Sequence, residues 1–196
     1  MKARIIIRII LVAMLTWVFL TSVCGCTPKI ESDDPDWEAC SETFGDHVCD
    51  FKLVDQNGDE FNLYDHYGKV IILDLSVMWC GPCQMAALDA DPMVRRLGED
   101  EVVYVTVLIE NFSGSDPSLT DLEGWASSFG IEINPVVAGS RGFLNSTGYQ
   151  VTGWPTFYFI DSNMILRDVM TGFSSSIMES KVRSLLAEKD TGAPGA

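Results

Sequence analysis

Gly68-Lys69-Val70-Ile71-Ile72-Leu73-Asp74-Leu75 runs on through three residues into Trp79-Cys80-Gly81-Pro82-Cys83. Val70 to Leu75 is a nearly continuous β-branched and aliphatic run, the pattern of a central strand covered on both faces. A helix is expected to open near Cys80. Two residues between cysteines at a helix start bring both sulfurs within disulfide range. The helix N-terminus offers free N–H groups and partial positive charge, which favour a thiolate on Cys80. Cys80 is therefore expected to attack a substrate disulfide, and Cys83, one turn in and less exposed, to resolve the mixed disulfide. Gly81 and Pro82 fix the turn. A C-x-x-C pair can also be half of a zinc site, but His47 and His66 are the only histidines and neither sits in a ligand pair. No metal is expected. A purely structural disulfide across so small a loop would constrain the unfolded chain little.

Outward from this centre, Phe51 and Leu53, then Phe61 and Leu63, alternate around Gln56-Asn57-Gly58-Asp59. Asn-Gly between alternating apolar residues signals a hairpin. Val102 to Ile109 repeats the buried-strand pattern. Thr156 to Ile160 gives a third run, followed by the turn Asp161-Ser162-Asn163 and a short strand around Ile165 to Met170. Helices alternate with these strands. The first runs from Cys80 to about Ala90, where Asp91-Pro92 is expected to cap and restart it as far as Leu97. A second opens at Asp116-Pro117, an N-cap with proline at N1, and closes at Phe129-Gly130. The last runs from about Ser174 to Glu188, with Ile177, Val182, Leu185 and Leu186 on one face. This alternation implies an α/β sandwich with mixed strand directions around one core.

Residues 51–188 resemble a thioredoxin-fold domain, most like the membrane-tethered extracytoplasmic proteins of the TlpA/ResA type. The features that carry the resemblance are the strand leading into Trp79-Cys80-Gly81-Pro82-Cys83, Gly153-Trp154-Pro155-Thr156 before a strand, and the Phe51 to Leu63 hairpin. The resemblance implies a three-layer sandwich with a central mixed sheet, an N-terminal hairpin and an inserted helix within Asn111 to Pro135. It implies that Pro155 is cis and faces the cysteines, and that the backbone before it pairs with the substrate chain. Trp154, Pro155 and Thr156 are then the substrate-binding residues. Asp74 lies where thioredoxins keep a buried acid; burial raises such a pKa and lets the group exchange a proton with Cys83. The alternative is a strand-end Asp turned to solvent, which avoids the cost of an unpaired acid in a buried strand. The sequence departs from the family at Ala86 and Leu88, where many TlpA/ResA relatives carry Glu and Pro, and at Thr106, where thioredoxins place a lysine. Asp74 is left as the one candidate acid.

The 196 residues carry 13 basic against 28 acidic side chains, a formal charge of −15. Nucleic-acid binders need a basic face to displace counterions from phosphates, so no nucleic-acid partner is expected. Lys2, Arg4 and Arg8 precede an apolar run from Ile9 to Leu20, shorter than the roughly 20 residues of a bilayer span and typical of a signal-peptide core. Val23-Cys24-Gly25-Cys26 at its exit resembles a bacterial lipobox. That makes residues 1–25 a lipoprotein signal peptide and Cys26 the lipidated first residue of the mature chain; Cys24 fits less well because Val23 precedes it. The alternative is an uncleaved anchor helix from Ile5 to Val23. Either places the rest outside the cytoplasm, on the periplasm-facing side of the cell envelope. Residues 26–48, acidic and holding two prolines, read as a solvated tether or as a docking surface for a basic partner. Residues 49–188 form the thioredoxin-like domain and 189–196 a flexible tail. In an oxidising compartment Cys40 and Cys49 are expected to pair, closing a loop worth about 3 kcal/mol on the chain-entropy model. The alternative is an auxiliary redox pair passing electrons to Cys80–Cys83.

The expected activity is that of an extracytoplasmic thiol–disulfide oxidoreductase that reduces envelope protein disulfides, with no cofactor beyond the redox-active Cys80–Cys83 disulfide. Its Gly-Pro centre resembles that of thioredoxin, whose potential is about −270 mV. Its partners are protein thiols and disulfides, a membrane electron donor, and the membrane itself through the anchor. A disulfide oxidase or isomerase is the alternative within the class. Thiol peroxidases place Thr three residues before the reactive cysteine, where this chain has Val77. A copper- or client-binding lipoprotein would use the same two thiols without turnover.

Overall fold

A computed structural model of the chain describes residues 37 and 39–191. Strand β1 (Lys52–Val54) pairs antiparallel with β2 (Glu60–Asn62), Leu53 opposite Phe61, as the alternation requires. The connecting turn is longer than Asn-Gly alone needs. The Asp55 carboxylate accepts the N–H groups of Asn57 and Asp59 at 2.8 and 2.9 Å, and Gly58 supplies a φ of 82° that a side chain would resist.

A short 3-10 turn (Leu63–His66) leads into β3 (Val70–Val77), all of it buried. Strand β3 runs parallel to β4 (Val102–Glu110), and a parallel pair needs a crossover, supplied by α1 (Gly81–Leu97). The chain continues through α2 (Leu119–Phe129), β5 (Val136–Ala138) and α3 (Arg141–Thr147). It then adds β6 (Thr156–Ile160), antiparallel to β3, before β7 (Leu166–Thr171) and α4 (Ser175–Thr191). The sheet order is β5-β4-β3-β6-β7.

Alternation along β3 divides the layers. Ile71, Leu73, Leu75 and Val77 face a core completed by Val105, Val107, Trp125, Phe143 and Tyr149, from β4, α2, α3 and the loop after α3. Val70 and Ile72 face the other core, with Ala86, Ala90 and Met93 of α1 and Met178 and Val182 of α4. The fold is the expected three-layer α/β sandwich with a mixed central sheet, an N-terminal hairpin and an inserted helix, α2.

Several boundaries differ from expectation. The restart at Asp91-Pro92 does not occur, because α1 is unbroken with Pro92 inside it. Pro92 deprives the Leu88 carbonyl of a partner, and Leu88 lies on an exposed face where water can replace it. Asp91 is not free to cap. Its buried carboxylate accepts the N–H groups of Glu132 and Ile133 at 2.7 and 3.1 Å and the Asn134 amide at 2.7 Å. These bonds fasten α1 to the segment before β5. The inserted helix begins at Ser118, not Asp116, because Ser118 and Asp121 exchange hydrogen bonds as a capping box. Gly130 ends it in the left-handed conformation, as expected.

The packed domain also begins before Cys49. Val48 is fully buried, the Trp37 ring stacks on His47 at 4.1 Å, and Gly45 N–H and Leu166 N–H bond to Leu166 O and Asp46 O. The C-terminal half of the expected 26–48 tether therefore packs on the domain. Cys40 and Cys49 form a disulfide with Cα atoms 4.9 Å apart. At the other end α4 passes Glu188 and reaches Thr191, three residues into the expected tail. The signal segment 1–25, Cys26 and the acidic residues up to Asp36 lie outside the described residues. Among the described residues no helix is long and apolar enough to cross a membrane.

Candidate active site

Strand β3 delivers the chain to Met78 and Trp79, and Cys80 is the N-cap of α1, with φ −90° and ψ 118°. Its Sγ accepts the Cys83 N–H at 3.3 Å, filling the place that a Ser or Asp oxygen takes at other helix starts. Pro82 sits in the first turn, where its missing N–H leaves no hydrogen bond unmade. No acidic residue in that turn offsets the positive helix end. Both thiols are free; Cys80 is 7% exposed and Cys83 fully enclosed. Trp79, beside them, is half exposed. Burial pushes the Cys83 thiol well up, and the adjacent Cys80 sulfur and the Asp74 charge push the same way. A sulfur at the rim and an enclosed, proton-retaining sulfur beneath it are arranged as the attacking and resolving halves of a dithiol exchange centre would need to be.

Asp74 does not point to solvent. It is fully buried, on the sheet face that α1 covers, and Ser76, two residues on, shares that face. The Ser76 hydroxyl donates to Asp74 Oδ1 at 2.6 Å, and the Tyr104 hydroxyl donates to Oδ2 at 3.0 Å. Burial pushes the Asp74 carboxyl up to about 7, against the pull of those two donors. Thr106, at the position expected for a lysine, stands opposite Asp74 in the β3–β4 register. The polar partners that compensate the acid are thus Ser76 and Tyr104, neither of which the motif announces.

The β3–β6 register pairs Leu75 with Thr156, so the residues just before Thr156 reach the end of the sheet where Cys80 follows β3. The Trp154–Pro155 peptide bond is cis. Trp154 is half-buried and packs on the core that contains Cys80 and Cys83. Thr156 is turned inward, its hydroxyl donating to Gly153 O at 2.7 Å, so its side chain holds the bend and is not presented at the surface.

A carboxylate and a guanidinium bridge the two tryptophans. Trp79 Nε1 donates to Glu110 Oε2 at 3.0 Å, and Arg141 Nε donates to Glu110 Oε1 at 2.6 Å. The Arg141 guanidinium lies 5.2 Å from the centre of the Trp154 ring. Arg141 beside it holds the Glu110 carboxyl below the usual range. Gly139 permits this reach: a Cβ there would stand 2.6 Å from Val107 Cγ1 and 2.8 Å from Ile109 Cδ1. Sequence patterning finds neither Glu110 nor Arg141, because only the fold brings a strand end and a helix start together. Among the described residues no three His, Cys, Asp or Glu side chains are grouped so as to hold a metal ion.

Comparison with known proteins places this geometry. Residues 44–169 match the model of the AhpC/TSA family. The thiol-disulfide oxidoreductase ResA of Geobacillus kaustophilus (strain HTA426) is 29% identical over 138 residues, covering 69% of this chain and 73% of that protein. A DsbE-type thiol:disulfide interchange protein of Chlorobium tepidum superposes with a TM-score of 0.61 at 26% identity, over 75% of this chain and 98% of its own. The pneumococcal exposed lipoprotein thioredoxin of Streptococcus pneumoniae strain TIGR4 gives a TM-score of 0.58 at 27% identity, over 70% of this chain and 100% of its own.

Proposed function

Since the chain belongs to the AhpC/TSA family of thioredoxin-fold proteins and is a thiol–disulfide oxidoreductase of the ResA/DsbE type, we propose that it reduces protein disulfides outside the cytoplasm through Cys80 and Cys83. The observation that carries this is the Cys80 sulfur at the start of α1, accepting the Cys83 N–H, with Cys83 enclosed beneath it. In the dithiol form the Cys80 thiolate attacks one sulfur of a client disulfide. A mixed disulfide forms and the other client sulfur leaves as a thiolate. Cys83 then attacks Cys80 Sγ, forming the Cys80–Cys83 disulfide and releasing the second client sulfur. Asp74 accepts the Cys83 proton in that step. Trp79, Gly81 and Pro82 frame the attacking sulfur, and the backbone around Trp154 and Pro155 aligns the client chain, with the Glu110–Arg141 pair joining the two sides.

The direction of electron flow rests on the Gly81-Pro82 dipeptide shared with thioredoxin, whose potential is about −270 mV; a potential above about −150 mV would reverse it. A reductant in an oxidising compartment needs a membrane electron donor. Location is supported by the signal-like run Ile9–Leu20 with Cys26 at its exit, by the Cys40–Cys49 disulfide, and by likeness to an exposed lipoprotein thioredoxin. Within this reading Cys26 carries the lipid and Cys40–Cys49 is a staple for the N-terminal edge of the domain. Peroxide reduction has no support at the site: Val77 offers no hydroxyl three residues before Cys80.

Trapping tests the reading. A Cys83→Ser variant expressed in cells should hold clients as mixed disulfides on Cys80 that a reductant releases. Adducts confined to extracytoplasmic proteins support the proposed location. An absence of adducts on Cys80, with the variant folded and Cys80 free, would sink the function.

A further inference from the structure

A cleft of about 400 Å³, within the size range of ligand pockets, lies between the cysteine motif and the inserted helix. Met78 and Gln84 line it from the motif; Phe112, two residues past β4, and Gly124 and Trp125 of α2 line it from the inserted segment. The side next to the cysteines is held in place: Gln84 Nε2 donates to Met78 O at 2.9 Å, and Met78 N–H donates to Glu110 O at 2.9 Å. Phe112 stands at the rim, 65% exposed, and Trp125 at the floor, 1% exposed. The Trp125 indole N–H has no hydrogen-bond partner among the described residues, a costly state for a buried donor. Gly124 sets the width of the cleft. It lies inside α2, where glycine is less stable than alanine. Close packing does not account for it: a Cβ at Gly139 would collide with β4, but one at Gly124 would meet nothing within 4 Å. What a side chain there would do is narrow the cleft. Among the described residues no basic side chain lines the cleft, and the Asp121 carboxylate at its edge is engaged by Ser118 and Asn111. The surface suits an uncharged apolar group and offers nothing to an anion.

We infer that this cleft is a client subsite, which takes a large apolar side chain, aromatic or aliphatic, carried by the client chain within three residues of the cysteine under attack. The inference rests on the proposed attack of Cys80 on client disulfides and adds which part of a client is recognised. Continuity with the dithiol makes a client side chain the occupant. Met78 and Gln84 bracket Cys80 and Cys83 in the sequence. An extended client advances about 3.3–3.6 Å per residue, so a residue two or three positions from its cysteine covers the span from Cys80 to Met78 and beyond. Backbone pairing before Pro155 accepts clients of any sequence, and selectivity then falls to side-chain pockets such as this one.

The test uses disulfide-bonded peptides, reduced by the full chain with a dithiol donor. Phe, Ala or Glu occupies in turn each position within three residues of one peptide cysteine. At one or more of these positions Phe should raise kcat/KM about tenfold over Ala, the scale of a filled apolar pocket. The gain should lie in KM, and Glu should give none. Gly124→Leu puts a side chain into the cleft and should bring the Phe peptide down to the Ala rate. Its unfolding midpoint should equal or exceed the native one, since leucine is the better helix former. Phe112→Ala, at the exposed rim, should lower the Phe-to-Ala ratio by about threefold. A ratio near one in the native protein, or a native ratio kept in both variants, would overturn the subsite. Peptide rates that fall together in Gly124→Leu with the ratio kept would mark the cleft as structural and refute the proposal. A coloured aromatic disulfide without a peptide chain separates the two readings in the native protein. Reduced while the peptide ratio is one, it keeps the oxidoreductase and removes the subsite; left unreduced along with the peptides, it overturns both.

Discussion

Replacing Cys80 by serine should lower dithiol-driven reduction of a protein disulfide to the uncatalysed rate, a loss of roughly three orders of magnitude or more. A serine hydroxyl stays protonated at neutral pH and cannot displace a sulfur. The remaining thiol cannot take over, because Cys83 is fully enclosed and burial holds it in the protonated form. Cys80→Ser keeps an N-cap oxygen able to accept the Cys83 N–H, so the helix start and the unfolding midpoint should be nearly unchanged. Reduction of insulin with a dithiol donor measures the loss. Activity above a tenth of the native value would place the chemistry elsewhere.

Asp74→Asn should produce the second large effect, and with opposite signs in stability and in rate. Below pH 3.8 the carboxyl is protonated in the folded and unfolded chains alike. Between 3.8 and about 7 the unfolded chain has given up a proton that the folded chain keeps, so stability falls as pH rises. Above about 7 both are ionised and the loss is complete. A window of about three pH units at about 1.4 kcal/mol each amounts to about 4 kcal/mol, an upper figure for a group with two hydrogen-bond donors. Asparagine carries no such dependence. The variant should match the native protein near pH 4 and exceed it by about 2–4 kcal/mol near pH 8, read as the difference between urea unfolding curves. The resolving step should slow by about tenfold or more while the first attack is spared. A stability difference that does not change with pH would mean that Asp74 ionises as an ordinary carboxyl.

The two effects together describe a trade: the acid proposed to take the Cys83 proton costs the folded chain stability whenever it is charged. Ser76 and Tyr104 moderate that cost by donating to both carboxyl oxygens. This is why an acid can persist in a strand where every residue is enclosed.

The parts of this site that sequence reveals are the local ones. The apolar run of β3, the cysteine pair at a helix start and the Trp154-Pro155 step are each contiguous, and each folds where its chemistry expects. Asp74 stood out because a charge inside an aliphatic run needs a reason. Ser76 was equally visible as the next residue on that face, but a lone serine in a strand carries little signal without its partner in view. Tyr104, Glu110 and Arg141 could not be found this way, since strand register and the close pass of Gly139 over β4 bring them to the site. The helix boundaries failed for a related reason. Asp91 and Asp116 look like N-caps in isolation, yet Asp91 is claimed by the backbone of Glu132 and Ile133, and Ser118 finds a better reciprocal partner in Asp121. The three-residue β5 and seven-residue α3 are too short to show a period.

The most direct test of a Cys80–Cys83 exchange centre is a redox titration with thiol trapping. The protein is poised in dithiol–disulfide buffers of stepped potential, free thiols are alkylated, and the intact mass is read. Cys80 and Cys83 should gain or lose two alkyl groups together, with a two-electron midpoint near −270 mV and a tenfold change in ratio for about each 30 mV. Cys40 and Cys49 should stay linked across that range. Two thiols that remain open to alkylation at every potential, or a Cys80 that oxidises alone while Cys83 stays free, would contradict the assignment.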